Sequence, residues 1–313
     1  MALGGGHGLA ATLSALRLMT DRLTAVVTVA DDGGSSGRLR GELDVLPPGD
    51  LRMALSALCD DTEWGHLWRD LLQHRFRSEG PLDQHAVGNL LIAALWELLG
   101  DPVQGLDWVG RLLGARGRVL PMSLTPLTIE ADLSHEGRVD TVVGQSAVAV
   151  ARGRVERLRL VPDRPPACAE AVHAVDDADW VVLGPGSWFT SVLPHVLVPE
   201  LSAALHRTRA RRCVTMNLRP PDPWSMTNLE HLRALAEHAP DLRVDVVVAD
   251  PGAVEDLGEL ADQAERMGAH LVLRQVGASD GAPRHDALRL AAAYRDAFEG
   301  TWGDVGERRG MKG

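Results

Sequence analysis

Cysteine is scarce: three residues in 313, at Cys59, Cys168 and Cys213, with no CxxC pair. So sparse and odd a set excludes a disulfide framework and points to a reducing, cytoplasmic compartment. Cys59 and Cys213 lie in apolar runs and read as inert core thiols. Aromatic residues are few at 4%, with one Tyr and three Phe beside eight Trp. Basic charge is in short supply too. Lys and Arg number 32 against 43 Asp and Glu, giving a net charge of −11. No nucleic-acid partner is therefore expected, because such a surface needs a basic field. No apolar run reaches the ~18 residues of a membrane span, and no signal peptide is visible. A serine-hydrolase elbow, HExxH, a GxxxxGK[ST] phosphate loop and zinc-spaced Cys/His clusters are all missing.

What is present is a strand–helix alternation. Residues 9–19 carry a helical leucine stripe. Thr24–Ala30 is a β-branched run of the continuous apolar kind that suits a parallel strand covered on both faces. Asp31–Gly49 is polar and glycine-rich and reads as a loop, followed by helices over 50–76 (in two pieces), 86–99 and 102–115. Short β-like runs at Leu127–Leu133, Val139–Val143 and Arg154–Leu160 then suggest an antiparallel insertion. Strands at 180–183, 213–216, 244–249 and 270–273 alternate with helices near 200–210, 226–239, 256–267 and 286–298. The expected fold is α/β: one domain over residues 1–313, with a doubly wound, mostly parallel Rossmann-like sheet and a small β-rich sub-domain inserted at about 118–160. Only Met1, Ala2 and Leu3 precede the first glycine cluster, where a buried strand usually needs about 5 residues. The first strand is therefore expected to be cut short, with the native start upstream.

Polar and glycine residues gather where the strands end, the edge at which open α/β sheets bind ligands. Gly4-Gly-Gly-His-Gly8 joins a strand to a helix and satisfies GxGxxA at Gly6, Gly8 and Ala11. Glycine lets backbone N–H groups approach a phosphate, although a tight turn alone also uses glycine. Asp31-Asp-Gly-Gly-Ser-Ser-Gly-Arg38 follows the second strand, and its carboxylates could hold Mg²⁺, a hard cation that takes oxygen ligands. A solvated loop with capping serines is the plainer alternative. In Pro47-Pro-Gly-Asp50-Leu-Arg52, Asp50 is placed to cap a helix, and Arg52 to pair with it or reach a phosphate. His85-Ala-Val-Gly-Asn89 sets Gly88 and Asn89 inside an apolar helix, against propensity. Gly184-Pro-Gly-Ser-Trp-Phe-Thr-Ser191 is a second glycine loop, offering donors from Gly186, Ser187 and Thr190. Trp188 and Phe189 either pack on the sheet or stack on a base. Asn217 ends the next strand, and Arg284-His-Asp286 precedes the last helix, with Arg284 able to grip a pyrophosphate or form a surface ion pair and Asp286 able to cap the helix.

In order, GGGHG, VADDGGSSGRLR, LPPGDLR, HAVGN, GRVLP, GPGSWFTS and RHD resemble the gluconeogenesis factor family, called YvcK-type, which is related to the CofD-like 2-phospho-L-lactate transferases. The resemblance runs from Leu3 to about Asp286. It implies a Rossmann-like fold with an inserted sub-domain, a cytoplasmic location, and a protein that binds UDP-sugars such as UDP-N-acetylglucosamine. It further implies a regulatory role in cell shape and cell-wall synthesis on gluconeogenic carbon sources, with a protein partner among the cell-wall synthesis machinery; a homo-oligomer is left open. Carried over by position, the ligand loops comprise Gly5, Gly6 and Gly8; Asp31, Asp32, Ser35, Ser36 and Arg38; Gly186, Ser187 and Thr190; and Arg284. Asn89 and Asn217 are added from their own placement, and Asp32 and Asp50 as the pair that could hold Mg²⁺; no tightly bound organic cofactor and no catalytic residue is expected. Three departures stand out. His7 replaces a usual Thr, Leu218–Trp224 replaces a Met-Thr-Gln-Pro-Gly-Glu-Thr run, and a tyrosine common before the late Gly-Ala is absent near Gly268, where Ala264 occurs instead. Two other readings stay open: a phospholactate-type transferase acting on a deazaflavin precursor with Mg²⁺, and, from GxGxxA alone, a NAD-dependent dehydrogenase.

Overall fold

The computed structural model describes residues 1–135, 137–218 and 226–300. Its centre is a sheet of seven parallel strands. In chain order these are β1 (Ala2–Gly4), β2 (Thr24–Val27), β3 (Arg118–Pro121), then, after the insertion, β7 (Trp180–Leu183), β8 (Arg211–Thr215), β9 (Val246–Ala249) and β10 (His270–Leu273). In space the order is β10-β9-β8-β7-β1-β2-β3. Chain growth moves outward from β1 through β2 to β3, then returns to β7 on the other side of β1 and moves outward again. The doubly wound sheet therefore changes direction between β1 and β7. Valine and alanine fill the middle strands because helices cover both faces; β9, Val-Val-Val-Ala, is buried at all four positions. β1 is three residues long yet pairs with β2 on one side and β7 on the other.

Thirteen helices surround the sheet among the described residues: α1 (Gly6–Leu16), α2 (Gly34–Leu43), α3 (Gly49–Leu58), α4 (Glu63–Gln73), α5 (Val87–Leu99), α6 (Pro102–Leu112), α7 (Gln145–Val150), α8 (Ala169–Asp176), α9 (Pro194–Leu197), α10 (Pro199–Arg207), α11 (Asn228–His238), α12 (Leu257–Arg266) and α13 (Ala287–Glu299). Local chemistry sets several of their ends. Asp101 accepts from Val103 and Gln104 N–H with Pro102 at the first helical position of α6. Thr227 and Glu230 form a reciprocal capping box on α11. Asp286 caps α13, in the role its place in the Arg-His-Asp motif suggested.

Two placements differ from the expectation. The stretch 31–49, read as a loop, contains α2. That helix buries only Ser35, Ser36 and Leu39, so it has almost no apolar stripe to show in the sequence. It is held instead by hydrogen bonds from its two serines, described below. The run at 118–121 is not part of the antiparallel unit: β3 pairs parallel with β2, from Thr24↔Arg118 to Val27↔Pro121. The antiparallel sheet consists of β4 (Thr128–His135), β5 (Arg138–Val143) and β6 (Arg154–Val161), in the order β5-β4-β6. Ile129, Ala131, Leu133, Leu158 and Leu160 on its inner face join the same hydrophobic core as the main sheet. No helix among the described residues is long and apolar enough to cross a membrane.

A buried polar chain crosses this core. The Thr12 hydroxyl donates to the Gly184 carbonyl at 3.0 Å and meets the Tyr294 hydroxyl at 3.2 Å, which in turn meets Thr215 at 2.9 Å. It ties α1, β8 and α13 to the loop after β7. Tyr294→Phe removes the hydroxyl that links the two buried threonines while leaving the Thr12–Gly184 bond, and we expect a loss of about 1–3 kcal/mol, read as a lower midpoint in urea unfolding at unchanged slope.

Candidate functional site

The C-terminal edge of the sheet brings the loops after β1, β2, β7 and β8 together. The first two glycine motifs flank the point where the winding reverses. Gly6 has φ +56° and opens α1. Gly8 lies so close to the neighbouring loop that a Cβ would overlap the Pro185 carbonyl. Only a chain without a side chain at 8 lets the loops after β1 and β7 touch. Gly186, at φ +143°, is fixed by Asn217: its N–H donates to the Asn217 side-chain oxygen at 2.8 Å, and the Asn217 amide donates back to its carbonyl at 2.9 Å. Asn217 thus acts on the loop rather than standing free. Ser187 is exposed and precedes a π-helical turn, Trp188–Val192, in which Thr190 is buried. Single π turns of this kind occur often at functional sites. Thr28, beyond β2, donates to the Ser191 carbonyl at 3.1 Å and through its N–H to the Gly4 carbonyl at 3.0 Å, closing the ring of loops.

Two carboxylates form the floor. Asp50, in the first turn of α3, sits against the first loop, its Oδ2 only 2.5 Å from where a Gly5 Cβ would be. Burial and then the charge of Asp31 push the Asp50 carboxyl up to about 7, while the Gly6 N–H and Arg52 act the other way. Asp50 is half-buried, so its desolvation is incomplete. Asp31 accepts the Gly33 N–H at 3.0 Å, and its other oxygen lies against Gly49. Asp32 faces elsewhere: its Oδ1 accepts the Ser146 N–H at 2.9 Å, joining the loop after β2 to α7 of the insertion. Gly144, at φ +97°, leaves room for that carboxylate, since a Cβ there would overlap Asp32 Oδ2.

Behind the floor lies a hydrogen-bonded frame. Ser35 Oγ receives the Ala86 N–H at 3.3 Å and the Asn89 amide at 3.1 Å, and meets His85 Nδ1 at 3.0 Å. With both lone pairs used, the hydroxyl proton goes to Nδ1, which places the histidine proton on Nε2. Desolvation, followed by the charge of Arg38, holds His85 below its ordinary value and keeps it neutral. Ser36 lies 3.5 Å from the Asn89 amide. Arg52 donates to Asn89 Oδ1 at 2.8 Å and to Gln73, its guanidinium pushed down to about 10 by burial and by Arg75. Ser35, Ser36 and Asn89 therefore support α2 from within. Arg38 spans outward to the carbonyls of Pro81 and Asp83, at 3.0 and 2.6 Å. Arg284 is exposed and paired with Asp280 at 2.6 Å. The altered loop after Asn217, from residue 219 to 225, lies outside the described residues.

The structure thus gathers Gly5, Gly6, Gly8, Asp31, Asp50 and Gly186 at one place, with Ser187 and Asn217 beside them. Sequence reasoning missed Gly144 and Ser146 of the insertion, and Thr12 and Thr28. Their partners lie far along the chain, so no local pattern marks them. Among the described residues, no group of three or more His, Cys, Asp or Glu could hold a metal unaided. The donor set nevertheless fits Mg²⁺, since Asp31 and Asp50 supply oxygen ligands that a phosphate laid on the loop would complete.

The chain is similar to known proteins over most of its length. The family profile described as 2-phospho-L-lactate transferase CofD matches residues 1–276. A Mycobacterium tuberculosis protein described as "Putative gluconeogenesis factor" is 52% identical over 301 residues, which cover 93% of this chain and 88% of that one. The Bacillus subtilis gluconeogenesis factor is 36% identical over 255 residues, 81% of this chain and 78% of that one. A crystal structure of a UPF0052-family protein from Bacillus halodurans superimposes with a TM-score of 0.83 at 32% identity, covering 93% of this chain and 96% of that one.

Asp50 also yields a pH prediction. In an unfolded chain it would lose its proton near 3.8, whereas in the fold it keeps it to about 7. Between those values the folded state holds the extra proton, so stability falls as pH rises, and the cost is complete above about 7. Asp50→Asn removes the cost. We expect it to raise Tm at pH 8 by a few degrees, roughly 1–3 kcal/mol, and to leave it unchanged at pH 4, checked by thermal unfolding across that range.

Proposed function

We propose, from the premise that this chain belongs to the CofD family and within it to the gluconeogenesis factors, that it is a UDP-sugar-binding regulatory protein. The observation that carries this reading is the meeting of two glycine loops where the sheet reverses its winding. There, backbone N–H groups and the start of α1 face a ligand at the strand ends, the general site for nucleotides in open α/β sheets. The floor argues for a diphosphate accompanied by a cation. Asp31 and Asp50 would repel phosphate oxygens, and the nearest guanidinium, Arg52, is committed to Asn89 and Gln73. Mg²⁺ held by Asp31 and Asp50, rather than by Asp32 and Asp50, would reconcile the charges, since Asp32 is turned to Ser146; it would supply electrostatic neutralisation of the phosphates. Gly5, Gly6, Gly8 and Gly186 orient the diphosphate, Ser187 adds a hydroxyl, and Asn217 holds Gly186 in place.

The relatives' shared name, gluconeogenesis factor, supports a role tied to gluconeogenic growth; the motif resemblance extends the proposal to cell shape and cell-wall synthesis through a cell-envelope partner. A ligand would regulate such a partner by favouring one conformation over another. The description of the family profile supports a second reading, a phospholactate-type transferase, and the Asp31–Asp50 pair is what in-line transfer with Mg²⁺ would use. Calorimetric titration of the full chain with UDP-N-acetylglucosamine, GDP and NAD, with and without Mg²⁺, separates them. We expect selective binding of the UDP-sugar, strengthened at least tenfold by Mg²⁺ and without turnover. Preference for GDP, with consumption of a deazaflavin alcohol, would instead establish the transferase.

A further inference from the structure

Seven buried side-chain polar atoms among the described residues have no hydrogen-bond partner. Three of them, on Arg17, Ser56 and Trp68, are scattered over α1, α3 and α4. The other four are Gln145 Oε1 at the start of α7, Trp188 Nε1 in the π turn after β7, His231 Nδ1 in α11 and His285 Nε2 just before α13. Trp188 opens the π turn directly after Ser187 and is 2% exposed. His231, in the first turn of α11, stacks on it with centroids 4.9 Å apart and planes 8° from parallel. Gln145 begins α7, which packs against the same π turn. His285 meets the Met216 carbonyl, just beyond β8, with its ring.

Native proteins leave few such atoms unpaired, because each forfeits its hydration without return. Three of them, on Gln145, Trp188 and His231, belong to elements that meet at the π turn after the second glycine loop, and these ask for a common cause. Their chemistry is specific. Trp188 Nε1–H can only donate, and Gln145 Oε1 can only accept. Burial pushes His231 down to about 3, so its ring is neutral and carries no charge to offer a phosphate. A phosphate group, which offers acceptors alone, would leave Gln145 unsatisfied.

We infer that Gln145, Trp188 and His231 form a specificity subsite that reads an uncharged amide or imide edge, carrying N–H and C=O together, on the ligand whose diphosphate lies over the glycine loops. The inference rests on the nucleotide-sugar reading. Both the imide of a pyrimidine base and the acetamido group of the sugar offer this edge.

The test is titration of the full chain and of three variants with four ligands. Trp188→Phe keeps a buried ring stacked on His231 but removes the N–H, His231→Phe keeps the stack but removes the ring nitrogens, and Gln145→Leu removes the carbonyl at similar size. The ligands are UDP-N-acetylglucosamine, UDP-glucose, UDP and inorganic pyrophosphate. Each variant is expected to lose about tenfold in affinity for UDP-N-acetylglucosamine and to bind pyrophosphate like the wild type; His231→Phe and Gln145→Leu are expected to keep or gain thermal stability, having lost an unpaired polar atom, while Trp188→Phe loses some to the smaller buried ring. A loss that persists with UDP assigns the base; a loss confined to UDP-N-acetylglucosamine assigns the acetamido group. Unchanged affinity for all four ligands, or an equal loss for pyrophosphate, overturns the subsite while leaving the nucleotide-sugar reading intact. A wild-type protein that binds none of the three UDP compounds overturns that reading and the subsite with it.

Discussion

The contact between Gly8 and the Pro185 carbonyl is the constraint on which the rest of the site depends. It joins two loops that leave adjacent strands, β1 and β7, at the place where the sheet reverses direction. Any side chain at position 8 would part them. The contact is held from below by the Thr12 hydroxyl on the Gly184 carbonyl and by Tyr294 behind it. From the side, Asn217 grips Gly186 at both its N–H and its carbonyl. The backbone of both loops is therefore fixed by the protein's own contacts, so the geometry of this edge does not wait on a partner to order the chain.

Around this contact the protein keeps charges that its own stability would not choose. Asp50 is set against the first loop with Asp31 beside it, and the cost appears as a carboxyl held near 7. A hydrophobic residue would pack there more favourably. Strained or uncompensated groups concentrate at sites where a ligand completes them. The unpaired atoms of Gln145, Trp188 and His231, on elements that meet at the π turn after β7, follow the same logic. The insertion takes part as well, because Asp32 receives the Ser146 N–H and Gly144 makes room for it. The antiparallel sheet thus reaches the ligand edge through α7 and is coupled to the loop after β2.

Much of the architecture was readable in the sequence. Thr24–Ala30, Trp180–Leu183 and Val244–Ala249 are largely apolar runs that end at aspartate or glycine, and each contains an interior parallel strand. Asp286 marked the start of α13, where local chemistry alone sets it. Helix α2 escaped notice because it is held by Ser35 and Asn89 across 54 residues, not by an apolar stripe. β3 was grouped with its sequence neighbours because a four-residue run carries no sign of whether its partner is parallel or antiparallel.

The site divides along the same line. Conformational demands are local, so the glycines at 5, 6, 8 and 186, and the acids at 31 and 50, announced themselves as motifs. Which of those residues face each other is a matter of contacts across the sheet. The tertiary structure alone decided that Asp50 pairs with Asp31 while Asp32 turns to α7, that Asn217 serves Gly186, and that Arg38 and Arg284 make ion-pair and carbonyl contacts outside the ring of loops. Backbone freedom and hydrophobic period are properties of a few consecutive residues and are written in the sequence. Pairings between residues more than a hundred positions apart depend on sheet order and helix packing, and exist only once the chain has folded.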